Sequence, residues 1–200
     1  MFGILLQGSF HVFLWCGLFL FILGLFNRSI FKWVSYSIVA SLLLSAVRFL
    51  PSATFYGDFI RSYASGFPTF TVFIDSLTTI KSFQAAHPKS AAYDVGWWEI
   101  DVFIGYVGLA FIAYFGIYQR FSSDLASAKY RFRALDMPIL LVILFAFGLF
   151  FDLLSNLRLP FFSWAERVPM RFFIIPLLLL ALISCIRLQA SLPKLFPAPR

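Results

Sequence analysis

The residues of this chain that could carry chemistry are charged side chains near one end of its apolar segments. Guanidinium groups bind phosphate through paired hydrogen bonds, and a nearby carboxylate can act as a general base. The arginines in question are Arg48, Arg167 and Arg171, and the carboxylates are Asp58, Asp75, Glu99 and Asp101. As a group they predict an outward-facing pocket that holds a phosphate and offers a candidate catalytic carboxylate.

A structural explanation of the same charges stays open. Charged groups in or beside apolar segments are costly unless they are paired or reach water. In this interpretation Arg48 pairs with Asp101 or Asp152 and joins neighbouring helices, while the remaining charges extend to water. The sequence does not decide between an ion-pair network and a binding pocket.

Histidine and metal chemistry are restricted by composition. The chain has two histidines, and only His11 lies in an apolar stretch. A single axial contact from His11 to a haem or chlorophyll-type pigment is therefore the one pigment site that the sequence offers. The sequence contains no metal-ligand spacing, P-loop or dinucleotide fingerprint, so we predict no metal and no cofactor.

The segments that must position these residues are long and apolar. Hydrophobic residues make up 61% of the chain and charged residues 12%, a balance that excludes an ordinary soluble domain. We expect an all-α transmembrane bundle of about five spans, forming one domain over residues 1–200. The expected spans are residues 5–26, 33–50, 101–118, 137–154 and 172–186.

The long segment 51–99 between the second and third spans is predicted to be an outer loop. Residues 56–63 and 70–77 have the pattern of short amphipathic helices that lie in the membrane interface. Their aromatic residues would face the membrane, and Asp58 and Asp75 would face away from it. The loop would then cover the outer end of the bundle.

Basic residues in the short loops predict the orientation. The set expected on the cytoplasmic side is Arg28, Lys32, Arg120, Lys129, Arg131, Arg133, Arg187, Lys194 and Arg200. This places the N-terminus outside and the C-terminus in the cytoplasm of a bacterial inner membrane. The net charge of +7 is scattered over helix ends, which fits topology and lipid headgroups and gives no reason to expect nucleic acid.

Three phrases of the sequence carry a family resemblance. They are LSAVRFLP at 44–51, GWWEIDVFIGYVGL at 96–109 and RVPMRF at 167–172. In this order they resemble the membrane portion of bacterial GT-C glycosyltransferases over about residues 45–185. The resemblance implies binding of a polyprenyl-phosphate-linked sugar at the outer leaflet, with Arg167 and Arg171 as phosphate contacts.

The chain departs from the GT-C pattern in the position of its long loop. Enzymes of that type have an acidic catalytic residue in the first outer loop, after the first span, whereas here the long outer loop follows the second span. No catalytic residue is therefore carried over, and whether the protein is an enzyme stays open. The alternative is a non-catalytic subunit of a larger respiratory or photosynthetic complex, whose partners are lipids and other membrane subunits.

Overall fold

The computed structural model describes residues 3–4, 10–47, 50–51, 66–67, 69–80, 101–121, 132–147 and 169–195. Every regular element in these ranges is helical, so the described chain is all-α, as the sequence predicts. The α-helices are α1 (Phe10–Phe26), α2 (Arg28–Leu44), α3 (Phe70–Thr78), α4 (Gly105–Phe111), α5 (Arg133–Ala146) and α6 (Ile174–Leu195). A π-helix (Ile112–Ile117) and a 3-10 turn (Tyr118–Arg120) continue α4, and a second 3-10 turn (Pro169–Phe173) precedes α6.

Helices α1 and α2 form a hairpin with a single residue, Asn27, between them. The close approach is possible at Gly24, where an added Cβ would lie 3.1 Å from the Phe31 ring. The second helix begins at Arg28, earlier than the residue 33 that we expected, because Arg28 and Lys32 are accommodated on exposed helical positions. The short predicted loop is therefore a tight helical turn.

The segment 101–104 is not part of helix α4, contrary to the expected third span of residues 101–118. It is held against the end of α3 by hydrogen bonds from Val102 N to Ser76 O (3.2 Å) and from Ile104 N to Leu77 O (2.9 Å). Gly105 then takes a left-handed conformation with φ of 71°, which favours glycine, and α4 begins there. Because the backbone of 102 and 104 bonds to α3, helix formation starts four residues later than expected.

The hydrophobic core lies where α1, α5 and the start of α6 meet. Buried side chains come from all three helices and from the two segments beside them, and they are Trp15, Phe19, Ile22, Ile139, Val142, Phe172, Phe173 and Leu177 among others. Helix α2 packs on α1, and its buried residues are Val34 and Ser41. The core thus joins helices that are far apart in sequence.

One described helical stretch, Met170–Leu192, is long and apolar enough to cross a membrane by length and composition. A shorter apolar helix covers Val12–Phe26. Pro176 is the third residue of α6 and follows a junction between 3-10 and α geometry. A proline in the first turn of a helix needs no N–H partner, so the change in geometry precedes the proline.

The long helices alternate in direction, which gives the molecule two ends. Phe67 N donates to Ala146 O, and the Phe67 and Phe173 rings are 6.4 Å apart, so the end of α5 and the start of α6 lie together. We call this the Arg171 end. At the opposite end, which we call the Arg187 end, α6 contacts the π-helix through Arg187 and the 3-10 turn contacts the start of α5.

Candidate functional site

Four of the predicted site residues lie in the described ranges, and three of them, Asp75, Asp101 and Arg171, are at the Arg171 end. Phe73, two residues before Asp75, packs against Phe173, two residues after Arg171, with ring centroids 4.9 Å apart. Asp101 adjoins Val102, which bonds to the backbone of α3. Segments separated by up to about a hundred positions in sequence are thus brought together around one aromatic cluster.

The side chains of the other predicted residues lie outside the described part of the structure. Five of them lie outside the described residues, namely Arg48, Asp58, Glu99, Asp152 and Arg167. The predicted ion pairs of Arg48 with Asp101 or Asp152 therefore stay predictions, as does the contribution of Arg167 to phosphate binding. His11 lies within α1, and its side chain is outside the described part of the structure.

Helix α3 is positioned by its cap and by aromatic packing. Thr69 caps it, because Thr69 Oγ1 accepts a hydrogen bond from Val72 N at 3.2 Å. Phe73 lies edge-on to Phe67 at 5.1 Å and tilted against Phe147 at 5.1 Å. Such ring contacts add to the burial of apolar surface, so the helix is held firmly to the ends of α5 and α6.

The two carboxylates and the arginine at this end differ in environment. Asp101 is exposed, and its Oδ1 accepts a hydrogen bond from Phe103 N at 3.1 Å. Asp75 is half-buried on α3. Arg171 is also half-buried, between the buried residues Met170 and Phe172 of the 3-10 turn. An arginine held in an apolar turn is an arrangement that can bind an anion or join neighbouring segments.

The Arg187 end contains a polar cluster that the sequence analysis missed. Arg187 is only 1% exposed although it lies in an apolar helix. Its Nη1 donates to Phe115 O at 3.0 Å and to Gly116 O at 2.6 Å. Both carbonyls belong to the π-helix, so Arg187 supplies donors to the backbone of a neighbouring helix.

Gly116 makes this contact sterically possible. A Cβ added there would lie 2.8 Å from Ser184 Oγ and 3.4 Å from the backbone oxygen of Leu180. Ser184 Oγ is in turn tied to Leu180 O by a hydrogen bond of 2.7 Å. The π-helix and α6 therefore touch closely at a glycine, and the guanidinium lies one turn further along α6.

The remaining members of the cluster link three helical segments. Arg120 of the 3-10 turn forms an ion pair with Asp136 of α5. Gln119 Nε2 donates to Ser191 Oγ at 3.5 Å, and Ser191 Oγ donates to Arg187 O at 2.9 Å. Burial raises the pKa of the Asp136 carboxyl, against the opposing influence of the neighbouring arginines.

The sequence contained a signal for this cluster that we did not use. We placed Arg187 in a cytoplasmic loop after a span ending at residue 186, but α6 continues to Leu195. Ser184, Arg187 and Ser191 are spaced by three and four residues, which puts them on one face of a continuous helix. This polar stripe on an apolar helix predicts a contact with another helix, although not with which one.

The described residues contain no group of three or more His, Cys, Asp or Glu side chains that could hold a metal ion. Comparison of the chain with protein-family models, with curated proteins and with solved structures finds no match. The geometry of the two ends is therefore the basis on which a function can be argued.

Proposed function

We propose that this protein is a five-span integral membrane protein, related to the GT-C glycosyltransferases, that binds a polyprenyl-phosphate-linked sugar at the outer leaflet. The observation that carries the proposal is the location of Arg171, half-buried at the same end of the helices as Asp75 and Asp101. The binding site would lie at the Arg171 end. Whether sugar transfer occurs there is a further question, because a complete catalytic set is not evident in the sequence.

The alternating helix directions support the membrane part of the proposal. The segment from Gly105 to Arg120 runs from the Arg171 end to the Arg187 end, α5 returns, and α6 runs in the first direction again. Its 22 residues make α6 about 33 Å long, which is comparable to the hydrocarbon thickness of about 30 Å. The N-terminus would be outside and the C-terminus in the cytoplasm of a bacterial inner membrane.

Exposed apolar residues on α2 also fit a lipid environment. Leu43 and Val39 in the second half of the helix are 70% and 53% exposed, Tyr36 at its middle is 55% exposed, and Trp33 nearer its start is 68% exposed. An apolar face with aromatic residues towards one end is the pattern of a helix at a membrane boundary. In water such a face would be an unfavourable surface.

The lipid phosphate is the part of the substrate that the chain is best equipped to recognise. A phosphate can accept two hydrogen bonds from one guanidinium, and a low-dielectric setting strengthens that contact. The apolar residues around Arg171 would contact the first isoprene units, while the sugar would extend towards Asp75 and Asp101. These carboxylates are the candidates for contacts to sugar hydroxyls.

The direct test is binding of a short polyprenyl phosphate to the purified protein in detergent, measured by native mass spectrometry. We expect Arg171→Ala to weaken binding by roughly 10- to 100-fold, since a hydrogen bond to a charged group contributes about 1.5–3 kcal/mol. Arg133→Ala is the matched control, because Arg133 is exposed and lies at the opposite end. Arg171→Lys keeps the charge and separates loss of phosphate contact from loss of folding.

Unchanged binding in Arg171→Ala would remove this site from consideration. Equal losses in Arg171→Ala and Arg133→Ala would show non-specific attraction of an anionic lipid to a basic protein. A loss confined to Arg171→Ala, with partial recovery in Arg171→Lys, is the result that the proposal requires.

A second function is a non-catalytic subunit of a larger inner-membrane complex, respiratory or photosynthetic. The observation that favours it is the same exposed face of α2, which could contact another membrane protein in place of lipid. Stoichiometric partner proteins retained through purification in mild detergent would support the subunit. A single chain that carries a polyprenyl phosphate would support lipid binding.

A further inference from the structure

The helical segment that continues α4 changes its hydrogen-bond register at the Arg187 end. Tyr118 N donates to Ala113 O, five residues back, and to Tyr114 O, as expected where a π-helix ends. The next turn is tighter, since Phe121 N donates to Tyr118 O at 3.0 Å. A π turn holds one more residue than an α turn over the same rise, so this segment contains one extra residue.

The contact from α6 falls at the point where the register changes. In a regular α-helix the carbonyls of Phe115 and Gly116 would accept from the backbone N–H groups of residues 119 and 120. Here both accept from Arg187 Nη1, on a side chain that is 1% exposed. A buried carbonyl without a donor is costly, so the guanidinium stabilises the π register directly.

The side chains beyond the change of register depend on it. Gln119 reaches Ser191 of α6, and Arg120 pairs with Asp136 of α5. If the segment shortened to an α-helix, each residue after it would rotate by about 100° relative to its present direction. The start of α4 cannot rotate to compensate for this change, because the backbone of Val102 and Ile104 is hydrogen-bonded to α3.

We propose that Arg187 is a register lock, a side chain that holds the continuation of α4 in its π register and so sets which residues face α5 and α6. Without the guanidinium, the segment relaxes to an α-helix with a shift of one residue. Tyr118 then takes the place of Gln119 opposite Ser191, and Arg120 turns away from Asp136. This inference does not depend on the ligand proposed for the Arg171 end.

The test is a cross-linking experiment on the full chain after replacement of its free cysteines Cys16 and Cys185 by alanine. The substitutions Gln119→Cys and Ser191→Cys provide one pair of thiols, which a short bifunctional reagent joins, and the pair Tyr118→Cys with Ser191→Cys is measured in parallel. With Arg187 present, we expect the 119–191 product to dominate. In Arg187→Met, we expect its yield to fall severalfold and the 118–191 product to replace it.

A deletion provides the sharper control. Ala113 is an exposed residue of the π-helix, and its removal takes out the extra residue. The combination of Arg187→Met with deletion of Ala113 should restore the 119–191 product, because an α-helix then has the correct register without the lock. Arg133→Met, at an exposed site of the same end, should leave the 119–191 product unchanged.

Two results would overturn the proposal. One is a dominant 119–191 product in Arg187→Met, which would mean that the register does not need the guanidinium. The other is a failure of the variant that combines Arg187→Met with deletion of Ala113. If Arg187→Met alone does not yield monodisperse protein, this combined variant should recover both monodispersity and the 119–191 product. Its failure to do so would show that Arg187 acts in some other way.

Discussion

Burial sets how much a charged side chain contributes to the stability of the fold, as Arg187 and the Arg120–Asp136 pair illustrate. The side chains of Arg120 and Asp136 are 31% and 26% exposed, and partly exposed pairs of this kind contribute about 0–1 kcal/mol. Arg187 is 1% exposed and serves two backbone carbonyls. If the segment kept its π register, the loss of Arg187 would remove this donor from both carbonyls, at about 1–3 kcal/mol for each buried group, and relaxation to an α-helix is the way to avoid that cost.

Gly116 offers a residue-scale prediction. Gly116→Ala should destabilise the protein by about 1–3 kcal/mol, because the new methyl group would lie 2.8 Å from Ser184 Oγ and 3.4 Å from a backbone oxygen. The midpoint of thermal unfolding in detergent measures the effect. Gly3→Ala is the matched control, since nothing lies within 4 Å of a Cβ at that position.

The atom nearest to the new methyl group of Gly116→Ala belongs to a side chain, so a second substitution can relieve the clash. Ser184→Ala removes the oxygen atom at 2.8 Å and should recover part of the stability lost in Gly116→Ala. An unfolding midpoint in Gly116→Ala that equals the parent value would show that the two helices are not in close contact here.

At the scale of elements, α3 and α2 are attached to the bundle in different ways. Helix α3 is fixed at its start by the Thr69 cap, along its length by Phe73, and at its end by backbone bonds to the 101–104 segment. Helix α2 packs on α1 and presents an apolar outer face. The environment of that face is what separates the two candidate functions.

Spin labels on α2 test its environment. We expect labels at Val39→Cys and Leu43→Cys, which are exposed, to collide more with oxygen than with a water-soluble nickel complex in lipid bilayers. The physical reason is that oxygen partitions into hydrocarbon and the nickel complex does not. A label at Ser41→Cys is the control, since Ser41 is buried and should be shielded from both reagents.

Preferential collision with the nickel complex at both exposed positions would contradict a lipid-facing α2. If both labels are protected from both reagents in the bilayer and become accessible only after detergent extraction, a protein partner covers this face. The experiment therefore bears on both candidate functions.

For the whole molecule, the prediction concerns orientation across the membrane. Thr69 is exposed at the Arg171 end, and Arg133 is exposed at the Arg187 end. In a background without native cysteines, Thr69→Cys should react with a membrane-impermeant maleimide on intact cells. Arg133→Cys should react only after permeabilisation, because the basic loops are expected to remain in the cytoplasm.

Arg28→Cys, in the exposed turn region between α1 and α2, repeats the cytoplasmic side of this test at an independent position. Labelling of Thr69→Cys and Arg133→Cys from the same side would be incompatible with helices that carry these residues to opposite faces of a bilayer. Labelling of Arg133→Cys alone on intact cells would reverse the orientation.

The sequence by itself determined the helical class and several helix positions. The backbone N–H and C=O groups of a long apolar run find no water in an apolar environment and bond to each other within a helix, so the long apolar runs predicted an all-α chain. The amphipathic pattern at 70–77 predicted a helix there, and α3 covers Phe70–Thr78. These features are local, because they depend on periodicity and on turn residues within a few positions.

Only the tertiary structure decided which residues meet. The place of Asp101 in a non-helical segment depends on bonds to α3, and the burial of Arg187 depends on the carbonyls of a helix about seventy positions earlier. The spacing of Ser184, Arg187 and Ser191 indicates a shared face, but a face does not specify its partner. Contacts between distant segments are set by packing of the whole chain, and for that reason the Arg187 end emerged from the structure while the charges at the Arg171 end could be proposed from sequence.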